Sequence, residues 1–342
     1  MDFVLDFGNA RLKWFDPRNN SFSDDRHAIV ALDEYQWNDI AGRGKPPKGI
    51  IKVNGSTFAI GDAARRYTIP EKPKGASRYR PDYYGVGLCY AMSECFKRSV
   101  KNVTLFGSHA PADVRYRSFL SQAAMGKWEV VSRHGTFEFE VKDVKTFDEP
   151  LGGYSHFVFT EKGKPIKRNP LEKVDTLVID AGGYTIDVGA IDAYGTIDLL
   201  SLHSTRSGSI AVTEQFEGAL RGNNPLMFQD TGEIDIKRIE RAILTGVFQM
   251  GKTAIDCKVE AKAAINRLTN DAIQVINAAG GVANFEYMLL TGGGSAMIYE
   301  ALQVAMPRAQ FLLAETKTDN MKYANVFGGA KIAALLRNMG EL

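Results

Sequence analysis

The sequence has few cysteines and few histidines, and it lacks a long apolar run. Its 342 residues include three cysteines, Cys89, Cys95 and Cys257. They form no C-x-x-C pair and cannot all be bridged, which excludes a disulfide scaffold and argues against a zinc site. The chain opens with the strand-like FVLDFG and holds no apolar run of about 18 residues, so neither a signal peptide nor a membrane span is expected. These absences favour a protein of the reducing cytoplasm.

The charges are nearly balanced, with a formal net charge of +2. This balance gives no whole-chain reason to expect nucleic-acid binding. The best local candidate is residues 72–80, KPKGASRYR, which mix basic and aromatic side chains; a solvated loop is the alternative. The histidines form no ligand pattern and are expected to pack or to lie at the surface: His27, His109, His134, His156 and His203.

Residues 246–253, GVFQMGKT, match the phosphate-binding pattern G-x-x-x-x-G-K-[ST]. A true P-loop needs an apolar strand before this turn and a helix directly after it. The preceding IKRIERAILT has helical spacing, and the following TAIDCKVEAKAA alternates before it becomes helical. The sequence therefore predicts two short strands, 247–250 and 253–256, that turn at Gly251 and Lys252.

A sequence motif that occurs twice divides the chain into two halves. Residues 4–12, VLDFGNARL, and 178–186, VIDAGGYTI, share the order apolar, apolar, Asp, x, Gly, x, x, polar, apolar. Asp6 and Asp180 lie about half the chain apart, and the chain is long enough for two ordinary domains. The repeated motif predicts two similar domains, each beginning with a buried strand that turns tightly at a glycine into a second strand.

These turns have a use in phosphate binding. Glycine lets the backbone approach a phosphate, and the N–H groups of the turn can point at its oxygens. An aspartate at the strand end would be repelled by phosphate, so its natural partner is Mg²⁺ or a metal-bound water. Two such turns facing each other across an interdomain cleft would hold a polyphosphate from both sides.

A third glycine element follows near the C-terminus. Residues 286–295, EYMLLTGGGS, are a predicted strand that runs into three glycines, and the following AMIYEALQVAM has helical spacing. Small residues there would let a flat ring or a ribose lie on the backbone, and the helix N-terminus would favour anionic groups nearby.

The ordered set of motifs resembles the superfamily of actins, heat-shock chaperones and sugar kinases. LDFGNARLK resembles its first phosphate loop, DAGGYTID its second, and LLTGGGSAMIYEAL its adenosine loop. ANVFGGAKIAALL resembles the helix that returns to the first domain, so the resemblance covers nearly the whole chain. VNGSTFAIGDAA and the ribbon before a long helix resemble ParM/StbA- and Alp-type bacterial actins in particular.

The resemblance implies an α/β fold with a mixed sheet in each of two similar domains around a nucleotide cleft. The first domain is expected over residues 1–150, with a C-terminal helix at 326–342 packing back on it, and the second over 151–325. The implied activity is hydrolysis of ATP, or GTP, with Mg²⁺, coupled to self-association into filaments. The implied partner is an adaptor protein bound to plasmid DNA, with neither direct sequence-specific nucleic-acid binding nor membrane contact.

The resemblance also assigns residues to the nucleotide site. Asp6 and Asp180 are expected to hold Mg²⁺, through water, and to serve catalysis. The residues expected to contact the nucleotide are Gly8, Asn9, Ala10 and Lys13 in the first turn, Gly182, Gly183, Tyr184 and Thr185 in the second, Gly292, Gly293, Gly294 and Ser295 in the adenosine loop, and Glu260 and Lys262 on the predicted helix KVEAKAAINRLTNDAIQVI. A merely solvated face is the alternative for that helix, which also carries Lys258 and Asn266.

Glu149 is the expected catalytic carboxylate. In ParM-type sequences a glutamate lies shortly before the second phosphate turn, and KTFDEPLGG occupies that interval here. A carboxylate on such a proline-containing loop could orient the attacking water. Glu149 fits the expected offset better than Asp148, and a solvated acidic loop is the alternative.

Asn9, Ala10 and Arg11 depart from the small hydroxyl residue and the glycine that actins have in the first loop, so the sequence does not decide between ATP and GTP as the nucleotide.

Two other functional classes remain open from the sequence. The opening DFGNARLKW also resembles type III pantothenate kinases, which are much shorter and lack such a GGG loop. A small-molecule kinase of the same superfamily is therefore one alternative, and a nucleotide-binding scaffold with little hydrolysis is another.

Overall fold

The structure, a computed structural model, describes residues 1–8, 11–16, 21–42, 44–67, 75–229, 232, 234–315 and 321–342. The chain divides into two compact units. The first unit is Met1–Lys167 together with Asn325–Leu342, and the second is Arg168–Ala324. The boundary thus lies after Lys167 and not near residue 150, where the sequence had suggested it.

The first unit is built on a mixed sheet. Its described strands are β1 (Asp2–Phe7), β2 (Arg11–Asp16), β3 (Ser21–Arg26), β4 (Ile29–Leu32), β5 (Ile50–Val53), β6 (Ser56–Ile60), β7 (Val100–His109), β8 (Gly126–Ser132) and β9 (Gly135–Asp148). They lie in the order β3-β2-β1-β7-β9-β8-β5-β6-β4, and β7 runs parallel to both β1 and β9. The helices are α1 (Glu34–Gly42), α2 (Val86–Phe96), α3 (Arg117–Ala124) and α4 (Glu149–Val158).

The strand β1 is an interior strand of this sheet, third from one edge, and its sequence, DFVLDF, is buried along its whole length. Strands that are covered on both faces lose the alternation of apolar and polar residues. On one face Phe3 and Leu5 belong to a core that includes α2, a helix buried on nearly all sides. On the other face Val4 packs with Phe106 and Phe147.

The C-terminal helix (Ala324–Met339) covers this second face and crosses α4 at glycines. A Cβ added at Gly328 would lie 1.8 Å from the carbonyl oxygen of Gly152, so the two helices can cross this closely only with glycine at that point. EPLGG is therefore not a domain boundary or a loop. Pro150 lies in the first turn of α4, where its missing N–H has no intrahelical partner to lose.

The second unit carries a smaller mixed sheet. Its described strands are β10 (Thr176–Ala181), β11 (Ile186–Ile191), β12 (Ile197–Thr205), β15 (Tyr287–Thr291) and β16 (Phe311–Leu313), in the order β12-β11-β10-β15-β16. A separate hairpin holds β13 (Val247–Met250) and β14 (Thr253–Asp256). The helices are α5 (Ser209–Asn223), α6 (Pro225–Phe228), α7 (Ile236–Thr245), α8 (Lys258–Ala278) and α9 (Ser295–Ala305); numbered in chain order, the C-terminal helix is α10.

The hairpin β13–β14 confirms that GVFQMGKT is not a P-loop. It pairs Met250 with Thr253, so the chain turns at Gly251 and Lys252 as predicted. The helix α7 precedes the motif in place of a strand, and Gly246 ends that helix in a left-handed conformation with φ 68°. The lysine of the motif consequently lies at the tip of a two-stranded ribbon.

The mixed sheet in each unit confirms the predicted α/β class. Within the described residues, no helix combines the length and the hydropathy that a membrane crossing requires. Cys89, Cys95 and Cys257 are thiols buried in the cores.

Candidate nucleotide-binding elements

The first predicted phosphate turn joins β1 to β2 and is held by charged side chains. Asp6 lies opposite Lys13 in the hairpin, and the Lys13 Nζ donates to Asp6 Oδ2 at 2.7 Å. The Ser108 hydroxyl, on the parallel strand β7, donates to Asp6 Oδ1 at 3.0 Å. Because Asp6 is only 1% exposed, these contacts offset the cost of burying its charge.

The backbone carbonyls of this turn also accept hydrogen bonds from side chains. The Arg78 Nη2 donates to the Phe7 carbonyl at 2.7 Å, and the His27 Nδ1 lies 2.5 Å from the Gly8 carbonyl. A Cβ at Gly8 would lie 3.1 Å from the Arg11 carbonyl, so the turn is tight. Asn9 and Ala10 lie outside the described residues.

The second predicted phosphate turn joins β10 to β11 and contains Asp180, which is 3% exposed. The Gly182 N–H donates to the Thr185 carbonyl at 2.9 Å and closes the turn. The Thr185 hydroxyl donates to Asp187 Oδ2 at 2.7 Å, and the Ser204 hydroxyl donates to the other oxygen of the fully buried Asp187. The Thr185 hydroxyl proton thus stabilises the hairpin.

The start of α5 fixes the direction of the second turn. The Ser209 N–H donates to the Gly182 carbonyl at 3.0 Å, and the Ile210 N–H to the Gly183 carbonyl at 2.7 Å. In a planar trans peptide the N–H points opposite to the C=O. The N–H groups of Gly183 and Tyr184 therefore point away from α5, as an anion-binding turn requires.

The predicted adenosine loop follows β15 and starts α9. A Cβ at Gly292, where φ is 83°, would lie 2.1 Å from Asp180 Oδ1, and the Gly294 N–H donates to the Ala181 carbonyl at 2.8 Å. Both glycines are buried, whereas Gly293 is exposed, and among the described residues its Cβ would lie near the Lys322 Cβ alone, at 3.5 Å. Ser295 donates to the Thr291 carbonyl. Gly292 is thus needed for packing, Gly294 lies in tight contact with the Ala181 carbonyl, and Gly293 is the exposed glycine of the three.

Glu149 is the first residue of α4 and lies next to a buried aspartate. Its position on a helix corrects the predicted loop. Asp148, which ends β9, is 3% exposed, and the Arg117 Nη2 donates to its Oδ2 at 2.7 Å. His109 Nδ1 lies 3.4 Å from Asp148 Oδ1, and His109 Nε2 accepts from Arg117 Nε at 2.7 Å. Asp148 is therefore a structural anchor, and the half-buried Glu149 is the carboxylate that solvent reaches.

The neutral state of His109 follows from these contacts. Its Nε2 can accept from Arg117 only when that nitrogen carries no proton. Burial lowers the pKa of His109, the nearby Asp148 carboxylate opposes this shift, and the Arg117 cation reinforces it. The Arg117–His109–Asp148 group thus anchors the strand end from which α4 and Glu149 begin.

Part of the KPKGASRYR stretch is buried, which corrects both interpretations of it. Residues 72–74 lie outside the described residues, but Arg78 is 5% exposed and Tyr79 is 3% exposed. The Arg78 Nη1 and the Tyr79 hydroxyl both donate to Asp113 Oδ2, at 2.9 and 3.0 Å. Burial raises the pKa of Tyr79 far above its ordinary value, so the phenol stays protonated as a donor. These two side chains belong to the core, not to a nucleic-acid patch.

The predicted base-contacting residues lie in the first turns of α8. Glu260 accepts from the Asn223 Nδ2 at 2.6 Å, and Lys258 lies 3.4 Å from Asp256. Lys262 and Asn266 are exposed. The structure thus gives Glu260 a partner on α5 and leaves the Lys262 side chain in solvent.

The oxygen donors of Asp6 and Asp180 fit the chemistry of Mg²⁺, which prefers carboxylate and water oxygens. Because Lys13 and Ser108 already occupy the carboxylate of Asp6, this residue fits an ion held through water better than one bound directly. Across the described part of the chain no three His, Cys, Asp or Glu side chains cluster as a protein-only metal site would require.

Comparison with solved structures identifies the architecture. An archaeal actin homologue aligns over 97% of this chain and 98% of its own, with a TM-score of 0.71 and 15% identity. The actin-like protein Alp7A aligns over 99% and 97%, with a TM-score of 0.74 and 13% identity. The chain has the actin-like ATPase fold. ParM of Bacillus thuringiensis, solved with AMPPNP, aligns over 98% of both chains with a TM-score of 0.68 and 14% identity. No protein-family profile matches this actin-like chain, and no curated protein matches it by sequence.

Several residues that shape these elements were not predicted from the sequence to act there. Arg78, His27 and Ser108 contact the first turn from distant parts of the chain. The second turn has one usable signal, the glycine before α5. A Cβ at Gly208 would lie 2.5 Å from the Gly183 carbonyl carbon, so Gly208-Ser209 marks a close approach of backbones.

Proposed function

We propose that this protein binds ATP, or GTP, with Mg²⁺, hydrolyses it and assembles into filaments in its nucleotide-bound state. The observation that carries the proposal is the pair of Asp-x-Gly hairpins, one in the main sheet of each unit of an actin-like fold. Solved structures of this fold include an archaeal actin homologue with ADP and a ParM with AMPPNP, which supports an adenine nucleotide as the first ligand to test.

Each element has a role in this proposal. The first turn contacts phosphate with its backbone and Lys13, and the second with the N–H groups of Gly183 and Tyr184. Gly293 of the adenosine loop admits the nucleoside. When bound, Mg²⁺ would neutralise phosphate charge, with Asp6 and Asp180 holding its waters. That the two turns share one nucleotide, and that Glu260 and Lys262 contact the base, stay predictions.

Glu149 is proposed to orient the attacking water. It begins α4 beside an aspartate that is fixed by Arg117, so its backbone position is well defined while its side chain remains reachable by solvent. A carboxylate so placed can accept a proton from water as the phosphoryl group is transferred.

The cellular role follows only from the resemblance. We propose that the filaments position plasmid DNA through an adaptor protein, because ParM- and Alp-type neighbours share the fold over nearly the whole chain. The adaptor, and not this chain, would supply the contacts to DNA.

The first experiment is right-angle light scattering of the purified protein after addition of Mg-ATP or Mg-GTP, with phosphate release followed in parallel. A rise in scattering that decays as phosphate appears is expected. Glu149→Gln should slow phosphate release by about a hundredfold or more and prolong the scattering plateau. Glu161→Gln, which changes an exposed glutamate of the same unit, is the matched control and should behave as the wild type.

Three outcomes would contradict parts of the proposal. A flat scattering trace with both nucleotides, over several salt and crowding conditions, would remove the filament claim and favour a small-molecule kinase. Scattering without phosphate release would favour a scaffold. Unchanged release from Glu149→Gln would remove this residue from the catalytic role.

A further inference from the structure

Arg78 is a buried cation to which the proposed function assigns no role. It lies in the short helical segment Gly75–Tyr79 and donates to Asp113 and to the Phe7 carbonyl. Its Nε is buried and has no hydrogen-bond partner among the residues that the structure describes. Burying a guanidinium is costly even when it is paired, and a hydrophobic side chain would fill the same space at lower cost. Packing alone therefore does not account for an arginine here.

The position of Arg78 relates it to the first phosphate turn. Phe7, whose carbonyl it holds, stands between Asp6 and the turn glycine Gly8. Burial alone would lower the pKa of Arg78, but Tyr79, Asp113, Glu149 and Asp6 together raise it. The guanidinium thus stays charged, and its charge acts on both carboxylates that the first unit contributes to the candidate site.

In the second turn a backbone N–H makes the contact that the Arg78 side chain makes in the first. The carbonyl equivalent to that of Phe7 belongs to Ala181, and it accepts from the backbone N–H of Gly294 at 2.8 Å. In the first unit the Arg78 side chain makes this contact. The end of β1 is therefore fixed by a donor that a point substitution can remove.

We propose that Arg78 is a positioning residue for phosphate binding at the first turn. It holds the Phe7 carbonyl, and with it the strand end from Asp6 to Gly8, in the conformation that receives phosphate, and it adds positive charge there. The inference rests on the proposed function and deepens its phosphate-binding part.

Arg78→Lys tests this role, because an ammonium keeps the charge beside Asp113 but cannot reproduce the planar fork of donors. The measurement is displacement of a fluorescent ATP analogue by Mg-ATP and, separately, by adenosine, which has no phosphate. The expected result is about tenfold weaker binding of Mg-ATP, the value for one hydrogen bond from a charged donor, with adenosine affinity unchanged within about twofold. If the wild type prefers GTP, Mg-GTP and guanosine replace the two ligands.

Two further variants keep the test decisive. Arg78→Met combined with Asp113→Asn removes the cation and its counter-charge together, so that no unpaired charge is left buried, and it should show the same selective loss. Arg133→Met, which removes another arginine–carboxylate pair of the first unit, with Glu94, should leave both affinities unchanged. Far-UV circular dichroism verifies that each variant is folded.

The outcomes separate this inference from the proposed function. If Arg78→Lys binds Mg-ATP as the wild type does, or if it weakens Mg-ATP and adenosine equally, the positioning role is overturned while nucleotide binding stands. If the wild type binds neither Mg-ATP nor Mg-GTP, the proposed function itself fails, and the role of Arg78 fails with it.

Discussion

The two Asp-x-Gly hairpins have the same strand–turn–strand arrangement, but different kinds of contact stabilise them. In the first, Asp6 faces Lys13, and the turn carbonyls accept from the side chains of Arg78 and His27. In the second, Asp187 stands where Lys13 stands in the first, and the turn carbonyls accept from backbone N–H groups of the adenosine loop and of α5. Equivalent geometry thus rests on charge in one unit and on close backbone packing in the other.

This difference predicts different weak points. A turn held by side chains should respond most to changes of charge, whereas a turn held by main chain should respond most to added volume. All three tryptophans, Trp14, Trp37 and Trp128, lie in the first unit, so tryptophan fluorescence follows that unit while far-UV circular dichroism follows the whole chain.

The largest effect is expected from Gly292→Ala in the second unit. Its Cβ would lie 2.1 Å from Asp180 Oδ1 and 2.6 Å from the Ala181 carbonyl, at a positive φ. Overpacking and the left-handed conformation together should lower the free energy of unfolding by about 4 kcal/mol. Urea denaturation followed by circular dichroism measures this loss. Gly293→Ala is the control and should cost less than about 1 kcal/mol; equal losses would refute the packing account.

The next largest effect is expected from Lys13→Met in the first unit. The substitution removes the ammonium that pairs directly with the buried Asp6 carboxylate, at a cost of about 3 kcal/mol. Tryptophan fluorescence during urea denaturation measures it. Lys48→Met removes a lysine that is 55% exposed and 3.6 Å from Asp25, and it should cost less than about 1 kcal/mol. A loss for Lys13→Met no larger than this would show that charge does not hold the first turn.

A smaller effect is expected from Asp187→Asn, at the position equivalent to Lys13. The amide oxygen can still accept from Thr185 or Ser204, but the amide nitrogen cannot accept from the other hydroxyl. The cost should be about 1.5 kcal/mol by urea denaturation and circular dichroism. A cost as large as that of Lys13→Met would mean that the second hairpin also depends on charge.

The smallest effect concerns pH and the first unit. Because burial lowers the pKa of His109 in the folded state, the unfolded chain takes up a proton more readily as the pH falls below about 6.5. Stability is therefore retained above that pH and lost below it, by about 1 kcal/mol toward pH 5. His109→Gln, which can still accept from Arg117, should lose less over the same range by tryptophan fluorescence. An identical pH profile would exclude His109 as the source.

Much of the candidate site was visible in the sequence because tight turns have local signatures. The two hairpins, the glycine loop before α9 and the ribbon that excludes a P-loop each depend on glycine and on alternating apolar residues within about ten positions. The structure confirms each of these elements.

The predictions that failed depended on distant contacts. Arg78 appeared solvated because its partner Phe7 is 71 residues away. The sequence predicts a loop at Glu149 because a proline and two glycines usually end a helix or a strand. In the structure α10 crosses α4 at Gly152, and this close crossing requires the glycine. The chain divides after Lys167 and not near residue 150, because EPLGG belongs to α4 of the first unit.

The sequence by itself determined the repeated strand–turn–strand elements and the α/β class, since backbone turns and burial patterns depend on residues that are close together in the chain. Tertiary structure alone decided how each turn is held, by Lys13, Arg78 and His27 in one unit and by backbone N–H groups in the other. The reason is physical: a buried charge or carbonyl must find a partner, and only the folded chain determines which distant group lies within hydrogen-bond reach.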